Sequence, residues 1–254
     1  MTVIIDYSTI RPSTQELRAA GVSAVGRYIG WDSVPGFHSI GKNISKVEAD
    51  NLLAAGIDIF LAFEYEATAA VHGSQQGTKD ANLAGQQLAA LGAPEGICSY
   101  FALDWDVPDY NPSLSDTPAN AAAKLGPIAE YFKAINAAHH KYAIGAYGGY
   151  WPIKRLFDAG LIHYAWQTVA WSGGHVDPRA SLLQTTSKVS ISGSDLNIHE
   201  NKSPWGTWAQ AKAALNAPAP PPPPSGPPPV KVPSLADARA AVATLNAYLA
   251  AQKG

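Results

Sequence analysis

Residues 99–109 read SYFALDWDVPD. The run begins as a short apolar strand and ends in two carboxylates. Residues two apart on a strand share a face, so Asp104 and Asp106 are expected to point one way and Leu103 and Trp105 the other. Pro108 stops the strand. Apolar strands that finish in acids just before a loop are the pattern of a parallel α/β barrel at its catalytic rim.

The flanking chain repeats this pattern. Upstream, Val3–Ser8 ends near Asp6, Ala24–Gly30 is strand-like, and Ile57–Glu66 finishes in Glu64 and Glu66. Between them lie helices at Thr14–Ala20, closed by Gly21, at Ser45–Ala55, where Ser45 and Glu48 have capping-box spacing, and at Gln75–Leu91. Downstream come a helix at Pro118–His139, a strand at Tyr142–Gly149 and a helix at Tyr150–Ala159. Three strand-like pieces follow, His163–Trp171, Ser181–Thr186 and Gly193–His199, with no room for helices between them. A helix at Thr207–Asn216 closes the unit. Five βα units and three closing strands give a TIM-like (β/α) barrel of the α/β class. An open doubly wound sheet would carry a Gly-rich loop after its first strand, and IDYSTIRPS has no glycine.

The barrel is assigned to residues 1–217. Residues 218–233 are dominated by proline and read as an extended linker. In residues 234–254, Leu235, Ala238, Val242, Leu245 and Leu249 recur at steps of three and four, the stripe of an amphipathic helix. Through residues 235–249 this helix is expected to self-associate or dock on a partner.

Composition removes several classes of function. A net charge of −2 without a Lys/Arg block argues against nucleic acid. No run approaches the ~20 apolar residues of a membrane span, and MTVIIDYSTI lacks the basic leader and apolar stretch of a signal peptide. The expectation is synthesis in the cytoplasm and action at the bacterial wall after release or within a virion. Cys98 is the single cysteine and reads as a buried small side chain. His139 and His140 have no third ligand at zinc spacing. Glu64, Asp104 and Asp106 leave a hard cation open as an alternative reading, although no cofactor is expected.

The carboxylates assigned to strand ends are Asp6, Glu64, Glu66, Asp104, Asp106 and Asp195, of which all but Glu66 are the expected catalytic residues. In a barrel such ends converge on one pocket, where crowded acids raise one another's proton affinity and separate into acid and base. That pair is what glycoside hydrolysis uses. Tyr28, Trp31, Tyr147, Trp166 and Gln184 are the expected substrate contacts, whereas Trp105, on the opposite parity, is expected in the core.

IDYS near the start, LDWD on the fourth strand and LLQTTSKVSISGSDLN near the end of the domain resemble the glycoside hydrolase family 25 lysozymes. They are more similar still to the glycoside-hydrolase-like barrels of the domain-of-unknown-function 1906 family of actinobacteria and their phages. The resemblance covers about residues 2–217. It implies a barrel of five βα units and three closing strands, with Asp6 as the first-strand acid, Asp104 as the first member of the fourth-strand pair and Asp195 as the late acid. Where those lysozymes carry a Glu as general acid, this chain has Asp106, whose carboxyl is drawn back by about one C–C bond. Glu64 is then a candidate to compensate.

The resulting expectation is a peptidoglycan-directed glycoside hydrolase of the lysozyme or muramidase type, such as a phage lysin. Asp106 or Glu64 would be the general acid, Asp104 and Asp6 would stabilise the substrate and its developing charge, and Asp195 would orient the sugar. The alternative is a catalytically silent barrel that binds wall glycan or serves a virion as a structural protein.

Overall fold

The computed structural model describes residues 3–30, 41–201 and 204–217, apart from the side chains of Asp195, Ile198 and Asn201. The expected linker, the tail helix and Trp31 fall outside the described residues.

Eight strands close a barrel in chain order. They are β1 (Val3–Asp6), β2 (Val22–Ile29), β3 (Asp58–Phe63), β4 (Cys98–Ala102), β5 (Ala143–Gly148), β6 (Tyr164–Thr168), β7 (Leu182–Ile191) and β8 (Ser194–Asn201). The first seven run parallel, while β8 runs antiparallel between β7 and β1. The turn before β8 explains its direction. Ser192 and Gly193 have φ of 52° and 73°, the two left-handed residues of a tight hairpin, and such a turn can only reverse the chain.

Helices α1 (Thr14–Ala19), α2 (Lys46–Ala54), α3 (Gly73–Leu91), α4 (Ala121–Leu125), α5 (Pro127–Ala138), α6 (Tyr150–Asp158) and α7 (Trp208–Leu215) surround it. Two differences from expectation have local causes. The single helix expected over Pro118–His139 is broken at Gly126, whose φ of 56° ends α4 before Pro127 starts α5. The capping box expected at Ser45 and Glu48 is half formed. Ser45 caps the Glu48 amide at 3.1 Å, but the Glu48 carboxylate turns inward to Arg27, 2.7 Å away. A complete box forms instead at Ser13 and Glu16.

Burial is in two layers. Between sheet and helices lies the larger apolar layer, including Leu17, Phe63, Phe101 and Leu156. The barrel interior is filled by Phe60, Cys98, Tyr100, Trp166, Leu182 and Trp205. Cys98 is a free, buried thiol, as its setting in the sequence suggested. At one end Tyr100 Oη donates to the Trp205 carbonyl at 2.6 Å. The opposite end, where β1–β7 finish, is the rim.

The α3–α5 contact carries a buried acid. Asp80 is 1% exposed and accepts hydrogen bonds from Tyr131 Oη and Gln76 Nε2, both at 2.7 Å. Burial pushes its carboxyl up to about 6 from 3.8. Because the folded value is the raised one, the stability it contributes is present below about pH 4 and is lost as pH rises through 6. The loss is about 3 kcal/mol, from the value of one pKa unit. Asp80→Asn should therefore match the parent in Tm near pH 4 and exceed it at pH 7. A gap between the two melting curves that does not change with pH would rule this out.

Candidate functional site

The strands deliver inward-facing side chains to the rim from several directions. β1 ends in Asp6, β2 carries Tyr28, and Glu64 directly follows β3. Asp104 follows β4 by two residues, Tyr147 lies on β5, Gln184 on β7 and His199 on β8. Gly26, on β2, allows the approach, since a Cβ there would fall 2.5 Å from the Phe60 ring and 2.9 Å from Asp6 Cβ.

Asp6 is clamped. Tyr28 Oη donates to Asp6 Oδ2 at 3.0 Å, and His199 Nε2 lies 2.9 Å from Asp6 Oδ1. The His199 ring is buried, and its Nδ1 has no hydrogen-bond partner among the described residues. The tautomer with its proton on Nε2 satisfies Asp6 and avoids burying an unpaired N–H.

Glu64 is 7% exposed, and its Oε2 is 2.6 Å from Lys42 Nζ. Burial pushes its carboxyl above the usual range, against the pull of Lys42, and the charges of Asp104 and Asp6 push the same way. Lys42 also sits 4.2 Å over the Tyr28 ring. Asp104 is reached by solvent. Even so, the walls of the mouth remove enough water from its carboxyl to raise its proton affinity, Lys42 opposing and Asp6 adding. Burial likewise raises the Tyr147 hydroxyl, with Asp104, Asp6 and Glu64 contributing. Asp6 thus raises the proton affinity of acids from two other strands across one mouth. Tyr147 Oη donates to Gln184 Oε1 at 2.8 Å, which fixes two of the expected substrate contacts on the opposite wall.

The other expected site residues are placed differently. β4 stops at Ala102, not at Val107, so Asp104 and Asp106 lie on the loop after it and the two-residue parity does not hold them together. Asp106 is exposed and has no hydrogen bond or ion pair with a described residue. β3 likewise stops at Phe63, and Glu66 lies out on the surface beside His72, 3.4 Å away. Trp166 is 2% exposed and packs edge-on with Phe60, Tyr147 and His199. It forms the floor of the mouth and offers no open ring face. Trp105 packs against the outer core, as expected. Asp195 opens β8 opposite Ser190, where it was expected at a strand's C-terminal end. Because β8 is antiparallel, its start lies at the same rim.

Lys42 and His199 were not among the expected site residues. Lys42 precedes a helix in a Gly-containing loop with no periodicity to mark it. His199 shares parity with Asp195 and Asn197 on the last strand, the one signal in the sequence that points to it. Among the described residues no three His, Cys, Asp or Glu side chains come close enough to hold a metal ion. The Lys42 ammonium already pairs with Glu64 within this group. No helix among the described residues is long and apolar enough to cross a membrane.

Known proteins share this fold. The family described as "Rv2525c-like, glycoside hydrolase-like domain" matches residues 15–203. The Mycobacterium tuberculosis protein Rv2525c, proposed by its name to be a peptidoglycan hydrolase, is 24% identical over 213 residues, 81% of this chain and 83% of that protein. Its crystal structure, described as that of a Tat-secreted protein, superposes with a TM-score of 0.67 over 81% of this chain and 98% of that one. The Bacillus subtilis protein YbfG is 31% identical over 163 residues, 59% of this chain but 20% of that much longer protein. The Streptococcus pneumoniae glycosyl hydrolase 25 GHIP shares the fold, with a TM-score of 0.50 at 17% identity over 79% of this chain and 86% of that one. With most of the barrel inside the matched span, the chain belongs to the Rv2525c-like, glycoside hydrolase-like domain family.

Proposed function

We propose that the chain is a glycoside hydrolase of bacterial cell-wall peptidoglycan, with Asp104 as the proton donor. The observation that carries this reading is the placement of Asp6, Glu64 and Asp104 at one rim, where Asp6 adds to the proton affinity of the other two and that of Asp104, the member solvent reaches, is raised. A general acid must hold its proton near the working pH and must touch substrate. Asp104 is the acid that solvent reaches, and burial of its surroundings raises its proton affinity above the usual range. Glu64 is buried and its carboxyl is taken by the Lys42 ammonium at 2.6 Å, so it is not presented to substrate. Asp106 reaches solvent but stands outside the coupled group. Asp6, oriented by Tyr28 and His199, and the Glu64–Lys42 pair then face the positive charge that develops on the sugar. Asp195 is assigned, with Gln184, to orienting the ring. The relative named for peptidoglycan hydrolysis supports the choice of substrate, and a lysozyme-type enzyme acting outside the cell, such as a lysin, is the form proposed here. The test is the release of new reducing ends from purified peptidoglycan.

A second reading has its own observation. With Glu64 closed by Lys42 and Asp6 clamped on both oxygens, two of the three acids already have partners, as in a barrel that binds wall glycan without cutting it. Sedimentation with insoluble peptidoglycan without release of reducing ends selects this reading.

Lys42 sets the pH response. It lowers the proton affinity of both Asp104 and Glu64, so Lys42→Met should raise both. Hydrolysis requires Asp104 protonated, and the alkaline limb of the pH–rate profile should move to higher pH in the variant. An alkaline limb that stays put or moves to lower pH would count against Asp104 as the acid.

A further inference from the structure

Beside the mouth, a second pocket of about 360 Å³ is lined by Val107, Asp109, Asp116, Lys124, Trp151 and Arg155. Lys124 and Arg155 are 4% and 5% exposed. Both are anchored on Asp109 Oδ2, Lys124 Nζ at 2.7 Å and Arg155 Nη2 at 2.9 Å, and Lys124 also donates to the Leu114 carbonyl at 2.8 Å. These bonds hold the two cations rigidly.

Arg155 Nε is different. It is buried and has no hydrogen-bond partner among the described residues. The acid it faces, Asp116 Oδ1, is 3.6 Å away, and Asp116 Oδ2 stands 3.6 Å from Lys154 Nζ. Both separations exceed a hydrogen bond. A buried donor left unpaired is costly, and here it stands across a short gap from an acceptor that is also open. A hydroxyl set beside this pair can serve both, accepting from Nε–H and donating to the carboxylate.

The rest of the lining selects the kind of molecule that carries the hydroxyl. Two carboxylates and two cations leave the pocket near neutral, which favours neither an anion nor a cation. Trp151, 39% exposed, gives the wall an aromatic surface, with the Arg155 guanidinium 5.4 Å from its ring. An indole beside fixed polar groups suits a ring with an apolar C–H face and hydroxyls at its edge. Asp104 and Asp109 are five residues apart, at most ~18 Å of extended backbone, and only four residues separate Tyr147 from Trp151. We infer that this pocket is a sugar-binding subsite that takes one ring of a glycan strand extending from the mouth, its hydroxyl bridging Arg155 Nε and Asp116. This rests on the glycan reading above but not on cleavage.

The experiment is calorimetric titration of the full chain carrying Asp104→Asn with soluble peptidoglycan strands stripped of their stem peptides. Adding Trp151→Ala or Asp116→Ala should weaken binding about tenfold or more, and Trp151→Phe should retain most of it. Thermal melts verify that each variant is folded. Equal affinity across the series, or no binding by the Asp104→Asn chain, overturns the subsite. If the unsubstituted chain releases reducing ends while the series shows equal affinity, the subsite fails and the hydrolase reading stands. If binding depends on Trp151 and Asp116 but no reducing ends appear, the subsite stands and the hydrolase reading fails.

Discussion

Asp104→Asn is expected to reduce the release of reducing ends from purified peptidoglycan by about 10²–10⁴-fold, the usual worth of a positioned general acid. Asparagine keeps the size and polarity of the side chain and removes only the transferable proton, so strand binding and Tm should stay close to the parent. Asp106→Asn provides the contrast. Asp106 is exposed and unpaired with any described residue, and its substitution should change the rate by less than about threefold on the same scale. Reversal of this order, with Asp106→Asn the inactive variant, would return the proton to the position that the lysozyme resemblance favoured. Equal activity of the parent and both variants would remove carboxylate acid catalysis at this rim altogether.

Glu48→Ala should cost about 3–5 kcal/mol of stability, the penalty for stranding a buried charge. For a domain of this size that lowers Tm by roughly 10 °C. Arg27 has a side-chain exposure of 0%, and its Nε meets Glu48 Oε1 at 2.7 Å. Glu48 also binds Arg11 Nε at 3.2 Å and accepts from Tyr7 Oη at 3.2 Å. Removing the carboxylate leaves the guanidinium between β2 and α2 with only carbonyl acceptors, those of Tyr7 and Lys42. Replacing both partners, as Arg27→Met with Glu48→Ala, takes the charge out together with its counter-ion. It should recover much of the loss, because a buried pair can often be exchanged for apolar packing at little net cost. A single-variant loss under 1 kcal/mol, or a double variant less stable than the single, would show that water already reaches Arg27. The bond from Arg27 Nη2 to the Lys42 carbonyl, 3.2 Å, also ties this outer cluster to the loop that sets the charge of the mouth. Glu48→Ala should therefore disturb the pH profile of whatever activity survives.

The alternation of apolar strands with capped helices is local, and it was legible residue by residue. The strand read at Val3–Ser8, the Gly-closed helix at Thr14–Ala20 and the sudden shortening of connections after Ala159 together pointed to eight strands and a barrel, because hydrophobic period and turn chemistry act over a few neighbours. The position of Asp6, Glu64 and Asp104 where strands give way to loops was legible as well. Which acids meet was decided by the closed fold. Strand length depends on pairing across the sheet, so β3 and β4 stop at Phe63 and Ala102, swinging Glu66 and Asp106 into solvent while Glu64 and Asp104 turn toward Asp6. Lys42 reaches Glu64 from 22 residues before it, and His199 reaches Asp6 from 193 residues after it. No local pattern encodes a contact of that range. It arises only when the barrel closes β8 onto β1 and low dielectric makes each buried charge depend on its neighbours.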